Sequence, residues 1–157
     1  MNACTCRSRR AFSLIELVIV IVIIGIIAAI AVPRMSRGAE GATDAALKAD
    51  LATLRSAIDL FTTEHPGVLP SAGGIVLQLT GYSDINGVAQ ATKDASHIYG
   101  PYIRAIPPAP VGPRKGQNGI AAADAATIGW IYDSGTGAIR VNTTTETDAA
   151  GALYSSY

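Results

Sequence analysis

The chain has 157 residues, with twelve basic and twelve acidic side chains, so one domain is the expectation and no basic patch large enough for nucleic acid arises. Apolar residues make up 49%, yet one run near the N-terminus supplies much of that share. Beyond Arg34 the chain is rich in Ala, Gly and Thr and poor in aromatics, which predicts a thin core of modest stability.

Residues 1–11 carry Arg7, Arg9 and Arg10 and no acid, while the remainder holds nine basic and twelve acidic residues. Cys4 and Cys6 both lie in this first stretch. If it is removed, the mature chain has no thiol, disulfide or cysteine ligand. A metal or lipid role for the Cys-x-Cys pair has no accompanying ligand cluster.

From Phe12 to Val32 the chain is uncharged except for Glu16, and fifteen of these residues are Phe, Leu, Ile or Val. Their summed insertion free energy is about −5 to −9 kcal/mol, against roughly +3 for one central acid. Twenty-one helical residues reach about 31 Å, enough for a hydrocarbon core. A lone span has no option but helix. Glu16 costs stability there and has no evident partner in its own helix, so the expected partner is another molecule. It also lies in the first turn, where the helix dipole favours a negative charge. The bland alternative is a carboxylate that snorkels to headgroups.

The sequence Arg9-Arg10-Ala11-Phe12-Ser13-Leu14-Ile15-Glu16-Leu17, with an Ile/Val/Ala run ending Ala31-Val32-Pro33, resembles the type IV pilin family, and within it the pseudopilins of type II secretion. The resemblance covers residues 9–33. It implies a leader of residues 1–11, cut between Ala11 and Phe12 by a prepilin peptidase on the cytoplasmic face, and N-methylation of Phe12. Ala11 departs from the glycine usual before the cut. The resemblance also offers Glu16 a partner: the α-amino group of Phe12 on an adjoining subunit. Such a pair attracts strongly in low dielectric but costs desolvation, so the enforced register is its main benefit.

Gly25 and Ala29 place two small residues on one helix face and allow close helix packing. Pro33 lacks a backbone donor and is expected to kink or loosen the helix. In assembled pilins the stretch between such a glycine and proline can unwind, which here means Gly25 to Pro33. Residues 7–31 can also be read as an ordinary secretory signal ending at Ala29-Ile30-Ala31, which releases a soluble binding domain. An uninterrupted run to Val32, the acid at its start and Pro33 beside the cut weigh against this.

Between Thr43 and Thr63, Leu47, Leu51, Leu54, Ile58 and Phe61 form one helical stripe, predicting residues 34–64 as an amphipathic continuation of the helix. His65-Pro66-Gly67 ends it. Residues 65–157 are expected to hold loops and a small antiparallel sheet. Val68 to Gly81 reads as a loop with a short apolar turn at Ile75, Leu77 and Leu79. The Leu69-Pro70 and Gly100-Pro101-Tyr102 segments are similar to ones in the major pseudopilins. Pro107 to Gly119, with four prolines and three glycines, reads as a surface loop. Thr127–Tyr132 and Ala138–Asn142 read as strands of a hairpin joined by Asp133-Ser134-Gly135-Thr136-Gly137. The tail from Thr143 is polar, with a poorly ordered tip expected. Asn142-Thr143-Thr144 matches a glycosylation sequon, a weak pattern alone.

No cofactor is expected. Major pseudopilins often hold calcium in an Asp/Gly-rich C-terminal loop, but Asp124, Asp133 and Asp148 are scattered, so that site is not carried over and calcium stays open. No G-x-S-x-G, H-E-x-x-H or Walker A pattern occurs, and His65 and His97 read as loop or surface residues rather than bases. The expected fold is α+β, a long N-terminal helix on a small antiparallel sheet, and no enzyme. The resemblance implies a homo-oligomeric filament. The further partners it implies are prepilin peptidase, an inner-membrane assembly platform, other minor pilins or pseudopilins, and membrane lipid before assembly. It places the chain in a bacterial inner membrane, N-terminus cytoplasmic and C-terminal part periplasmic, before filament growth in the periplasm or at the surface. Use in a type II secretion pseudopilus competes with use in a type IV pilus for adhesion, motility or DNA uptake. The lack of a C-terminal cysteine pair tilts toward the former.

Overall fold

The computed structural model describes residues 12–157, without the side chains of 32–38. Helix α1 covers Leu14–Glu64, and its helical assignment runs unbroken across Gly25 and Pro33. Pro33 therefore does not end the helix. Two compact units divide the chain, Met1–Ala39 and Glu40–Tyr157.

In the first unit, α1 presents an apolar surface to its surroundings on all sides. Every large apolar side chain from Leu14 to Ile27, and Ile30, is exposed. The segment Leu14–Ala31 is long and apolar enough to cross a membrane. A helix apolar all round, with nothing among the described residues packed on it, is suited to lipid or to other helices, not to water.

In the second unit, α1 lays the expected stripe into the core. Leu47, Leu51, Leu54, Ile58 and Phe61 are all essentially inaccessible, clustered with Trp130, Tyr132, Ile139 and Val141. The threonines of this helix return their hydroxyls to the preceding turn: Thr53 to Ala49 O, Thr62 to Ile58 O and Thr63 to Asp59 O. That back-bonding satisfies them without leaving the helix.

After the helix, Gly67 takes φ +72, a left-handed value that permits the sharp exit. The segment expected to be a loop contains a helical turn, α2 (Ile75–Thr80), which buries Ile75 and Leu79 and leaves Leu77 exposed. Two short strands, β1 (Tyr82–Ser83) and β2 (Ala89–Gln90), pair antiparallel. A three-stranded sheet follows: β3 (Gly119–Ala121), β4 (Ile128–Tyr132) and β5 (Ile139–Val141), in the order β3-β4-β5. The β4–β5 hairpin is antiparallel, as the turn chemistry of residues 133–137 predicts. β3 adds parallel to β4, so this sheet is mixed rather than purely antiparallel. The fold class is α+β as expected, with small antiparallel pairings beside a long helix.

Polar side chains buried in this core are paired, with the exception of the Thr143 hydroxyl. Trp130 Nε1 donates to Pro107 O at 2.8 Å, and Tyr132 Oη to Pro70 O at 3.1 Å, so two proline-rich loops are pinned to β4. Gln78 accepts from Ser71 N at 2.8 Å and donates to Gly87 O at 2.8 Å, joining α2 to the β1–β2 turn. Buried amides need such partners.

The tail is docked rather than loose. A 3-10 turn (Tyr154–Ser156) buries Tyr154, whose hydroxyl donates to Asp44 Oδ1 at 2.6 Å. Lys48 Nζ lies 4.9 Å above the Tyr157 ring, a cation–π contact. Helix residues Asp44 and Lys48 thus hold a segment that its polar composition alone does not fix.

Candidate functional site

The N-terminal turn of α1 brings Phe12, Ser13 and Glu16 together. Phe12 is 81% exposed. Ser13 is the residue before the first helical one, and its carbonyl accepts from Glu16 N at 3.1 Å and Leu17 N at 3.3 Å. The backbone N–H of Ser13 in turn donates to Glu16 Oε2 at 2.8 Å. The segment Ser-Leu-Ile-Glu thus places Glu16 as the acceptor arm of a capping box.

This corrects one expectation. Glu16 does have a partner inside its own helix, so the absence of one cannot argue for a second molecule. The signal was present in the sequence, as Ser followed three residues later by Glu, and Ser13 is the residue that reasoning from charge alone missed. A carboxylate offers about four acceptor positions, and the cap uses one. Glu16 Oε1 has no partner among the described residues, so the cap aims the group while leaving it open to a further donor.

Ala11, the leader 1–11, Cys4 and Cys6 lie outside the described residues. Gly25 and Ala29 sit on the exposed helix, and a Cβ built at Gly25 meets nothing within 4 Å. Their small size therefore serves no packing among the described residues. Pro33 is helical in backbone.

The second unit offers weaker candidates. His65 lies in the turn that follows α1, as expected of a loop residue, but it is fully buried rather than at the surface. It stacks on Phe61 at 3.9 Å between ring centroids. Its Nδ1 lies 2.7 Å from Phe61 O, which makes that nitrogen the donor, and Nε2 accepts from Ser83 Oγ at 3.0 Å. A serine hydroxyl on an imidazole is the start of a nucleophile–base pair. Here both members are inaccessible to solvent, and a substrate has no route to Ser83 Oγ. The pair splices β1 to the end of α1, alongside Tyr102 Oη donating to Glu64 Oε2 at 2.6 Å. Burial, then that carboxylate, pushes the Tyr102 hydroxyl well above its ordinary value.

His97 belongs to a surface loop folded around Asp94, which accepts from Ser96 N, His97 N and His97 Nδ1. These bonds, that of His97 N foremost, hold the Asp94 carboxyl far below its usual range. Arg114 grips Asp124 through Nε at 2.9 Å and Nη2 at 3.0 Å. The Asn142 side-chain amide donates to Asp124 Oδ1 at 2.7 Å and to Ile128 O at 2.8 Å. Both amide hydrogens of the sequon asparagine are spent, and the residue is buried. The sequon is therefore not presented to a glycosylating enzyme in this fold. Among the described residues no group of three or more His, Cys, Asp or Glu side chains is placed to hold a metal ion.

The N-terminal turn and the apolar helix behind it are the features with a counterpart elsewhere. Residues 6–32 match the prokaryotic N-terminal methylation motif, the hallmark of type IV pilin-like subunits. No curated protein matches the chain, and no solved structure does.

Proposed function

We propose that this chain is a structural subunit of a membrane-assembled filament, processed by prepilin peptidase between Ala11 and Phe12 and methylated on Phe12. The observation that carries the reading is the coincidence of the methylation motif over residues 6–32 with a helix whose Leu14–Ala31 segment is apolar and uncovered. A motif of this kind marks a subunit made as a precursor and held by one helix before assembly.

The physical account is an exchange of neighbours. In the membrane the side chains from Leu14 to Ile30 meet lipid. In the filament they meet the same segment of other copies, so assembly trades lipid contacts for helix–helix contacts. Gly25 and Ala29 let those backbones approach, and Pro33 weakens the helix just beyond. The freed α-amino group of Phe12 on an incoming copy becomes the second donor for Glu16. Its attraction is partly offset by desolvation, so its chief effect is to fix axial register. The N-terminus faces the cytoplasm and the second unit the periplasm in this reading.

Of the two filament types, we favour the type II secretion pseudopilus over a type IV pilus. Both cysteines precede Phe12, leaving none in the second unit for a C-terminal disulfide. The pilus remains the competing use, and a soluble domain released near Ala31 the competing class. Against the latter, α1 continues as helix across residues 29–33 with no extended stretch for a signal peptidase.

Glu16→Ala and Glu16→Gln test the reading. Each variant is expected to insert and be cleaved at wild-type levels but to yield no filaments by electron microscopy. Normal filaments from both variants would refute the role assigned to the carboxylate.

A further inference from the structure

Asparagine precedes glycine at Asn86-Gly87 and again at Asn118-Gly119. Both asparagines are exposed. The pairing is chemically unstable, because glycine has no side chain to keep its nitrogen away from the preceding carboxamide. The glycine nitrogen, having lost its proton to a solvent base, attacks the asparagine Cγ. The Cγ–Nδ2 bond breaks and ammonia leaves with a proton from water, which closes a succinimide ring. One water then opens the ring, at Cγ to give aspartate or at the main-chain carbonyl to give isoaspartate. The nucleophile is available only while the glycine N–H is free of its hydrogen bond, so the fold sets the rate at each site.

The two glycine amides are held in different ways. Gly119 N donates to Thr127 O at 3.1 Å, at the head of the β3–β4 pairing. A Cβ there would fall 2.4 Å from Thr127 O and 2.9 Å from Ile128 Cδ1, so this main chain is wedged against the neighbouring strand. Just before it, Gln117 O accepts from Ala109 N at 2.8 Å. Freeing Gly119 N therefore means parting segments that pack closely across the sheet. Gly87 N instead donates to Asp84 O at 3.0 Å, inside its own turn. Asp84 also donates its N–H to Val88 O at 3.0 Å, and its Oδ1 accepts from Asn86 N at 3.0 Å and Val88 N at 2.8 Å. The strands this turn joins, β1 and β2, pair over only two residues each. Two ties reach beyond the turn: Gln78 Nε2 donates to Gly87 O at 2.8 Å, and a Cβ on Gly87 would meet the Phe61 ring at 3.1 Å. Neither holds the N–H. Opening one short turn costs less than parting a sheet.

We propose that Asn86 is a site of spontaneous deamidation in the folded protein, that Asp84 is the positioning residue that slows it, and that the sheet shields Asn118. Opening of the turn at residues 84–88 frees Gly87 N beside the Asn86 carboxamide while the rest of the second unit stays folded. Asn86 Nδ2 lies 3.5 Å from Asp84 Oδ2, so the product sets one carboxylate against another. The isoaspartate form also adds a main-chain carbon to the link between β1 and β2. Repulsion and the longer link both loosen that pairing. The inference is independent of the filament reading, since it needs only the folded second unit.

The test incubates the full chain in detergent micelles, at mildly alkaline pH in heavy-oxygen water, and maps its peptides by mass spectrometry over several weeks. The oxygen label marks conversion during incubation and not during digestion in ordinary water. Asn86 is expected to convert about tenfold faster than Asn118 in the folded chain, and the two rates to converge in denaturant. Asp84→Ala removes the acceptor for Asn86 N and Val88 N, and should speed Asn86 about threefold with Asn118 unchanged. Asp84→Asn keeps an acceptor oxygen and should convert Asn86 at the wild-type rate. The proposal is overturned if Asn86 stays intact in the folded chain, if Asn118 converts as fast there, or if the difference persists in denaturant. It is equally overturned if Asp84→Ala speeds both sites alike or neither.

Discussion

The backbone N–H of Ser13 and the carboxylate of Glu16 are hydrogen-bonded at 2.8 Å across the first turn of α1. One side chain thus has a structural duty inside the subunit and a proposed duty between subunits. The two separate chemically. A glutamine retains the capping oxygen but not the charge, while alanine removes both. Glu16→Ala should therefore fray the N-terminus of α1, at a cost of about 0.5–2 kcal/mol as for other lost caps, and Glu16→Gln should not. Hydrogen exchange at the amides of residues 13–17 in micelles reads this directly. Equal protection in both variants means that the cap contributes nothing.

Thr143 presents a different kind of test. Its Oγ1 is buried with no hydrogen-bond partner, the one such side-chain atom among the described residues. Its methyl group sits against Gly112, which takes φ +78 and has no room for a Cβ. Leaving a hydroxyl buried and unpaired costs about 1–3 kcal/mol. Thr143→Val keeps the branched shape and removes that cost, so chemical denaturation should show a gain of about 1 kcal/mol. A loss instead would mean that the hydroxyl is satisfied.

Gly129 marks the closest backbone approach in the mixed sheet. A Cβ there falls inside contact distance of Gln117 O and against Ala109. The obstacle is main chain, which cannot swing aside as a flexible side chain can. Gly129→Ala should therefore destabilise the second unit by roughly 1–3 kcal/mol, the range for overpacked cores, seen as a lowered Tm. An unchanged Tm means the β3–β4 pairing has slack that this geometry denies.

The Arg114–Asp124–Asn142 cluster predicts a pH response. Hydrogen bonds from Arg114, then from Asn142, hold the Asp124 carboxyl below its ordinary value. A depressed folded-state pKa means stabilisation that is complete above the unfolded value, about 4, and lost as pH falls through the folded one. Wild type should lose stability below about pH 4 more steeply than Asp124→Asn, whose amide does not titrate. Parallel acid limbs in the two proteins would mean the cluster contributes no linkage.

How much of this was legible depended on the length of each signal. The stripe from Leu47 to Phe61 repeats over five positions and could only be a helix face, and all five residues are buried. The β4–β5 hairpin announced itself through Asp133 to Gly137, where Gly137 takes φ +76 to close the turn. By contrast, β1, β2 and β3 are two or three residues long. Strands so short have no period of their own, and pairing with distant segments creates them. Gly119–Ala121 looks like the end of a proline-rich loop until β4 lies beside it. His65 lies in a turn as read, but its burial was not legible, because Pro66 and Gly67 mark a helix end and helix ends are usually exposed. Here the ring fills the gap between Phe61 and Ser83. At the N-terminus the charge of Glu16 was obvious and its capping geometry was equally readable, but the apolar run drew the inference toward an outside partner.

The most direct measurement is the mass of the mature N-terminus, taken on protein extracted from membranes. A chain beginning at Phe12 and heavier by one methyl group is the expected result. A chain beginning at Val32, recovered in the soluble fraction, would contradict the account, because the helix from Leu14 to Ala31 would then never meet a second copy.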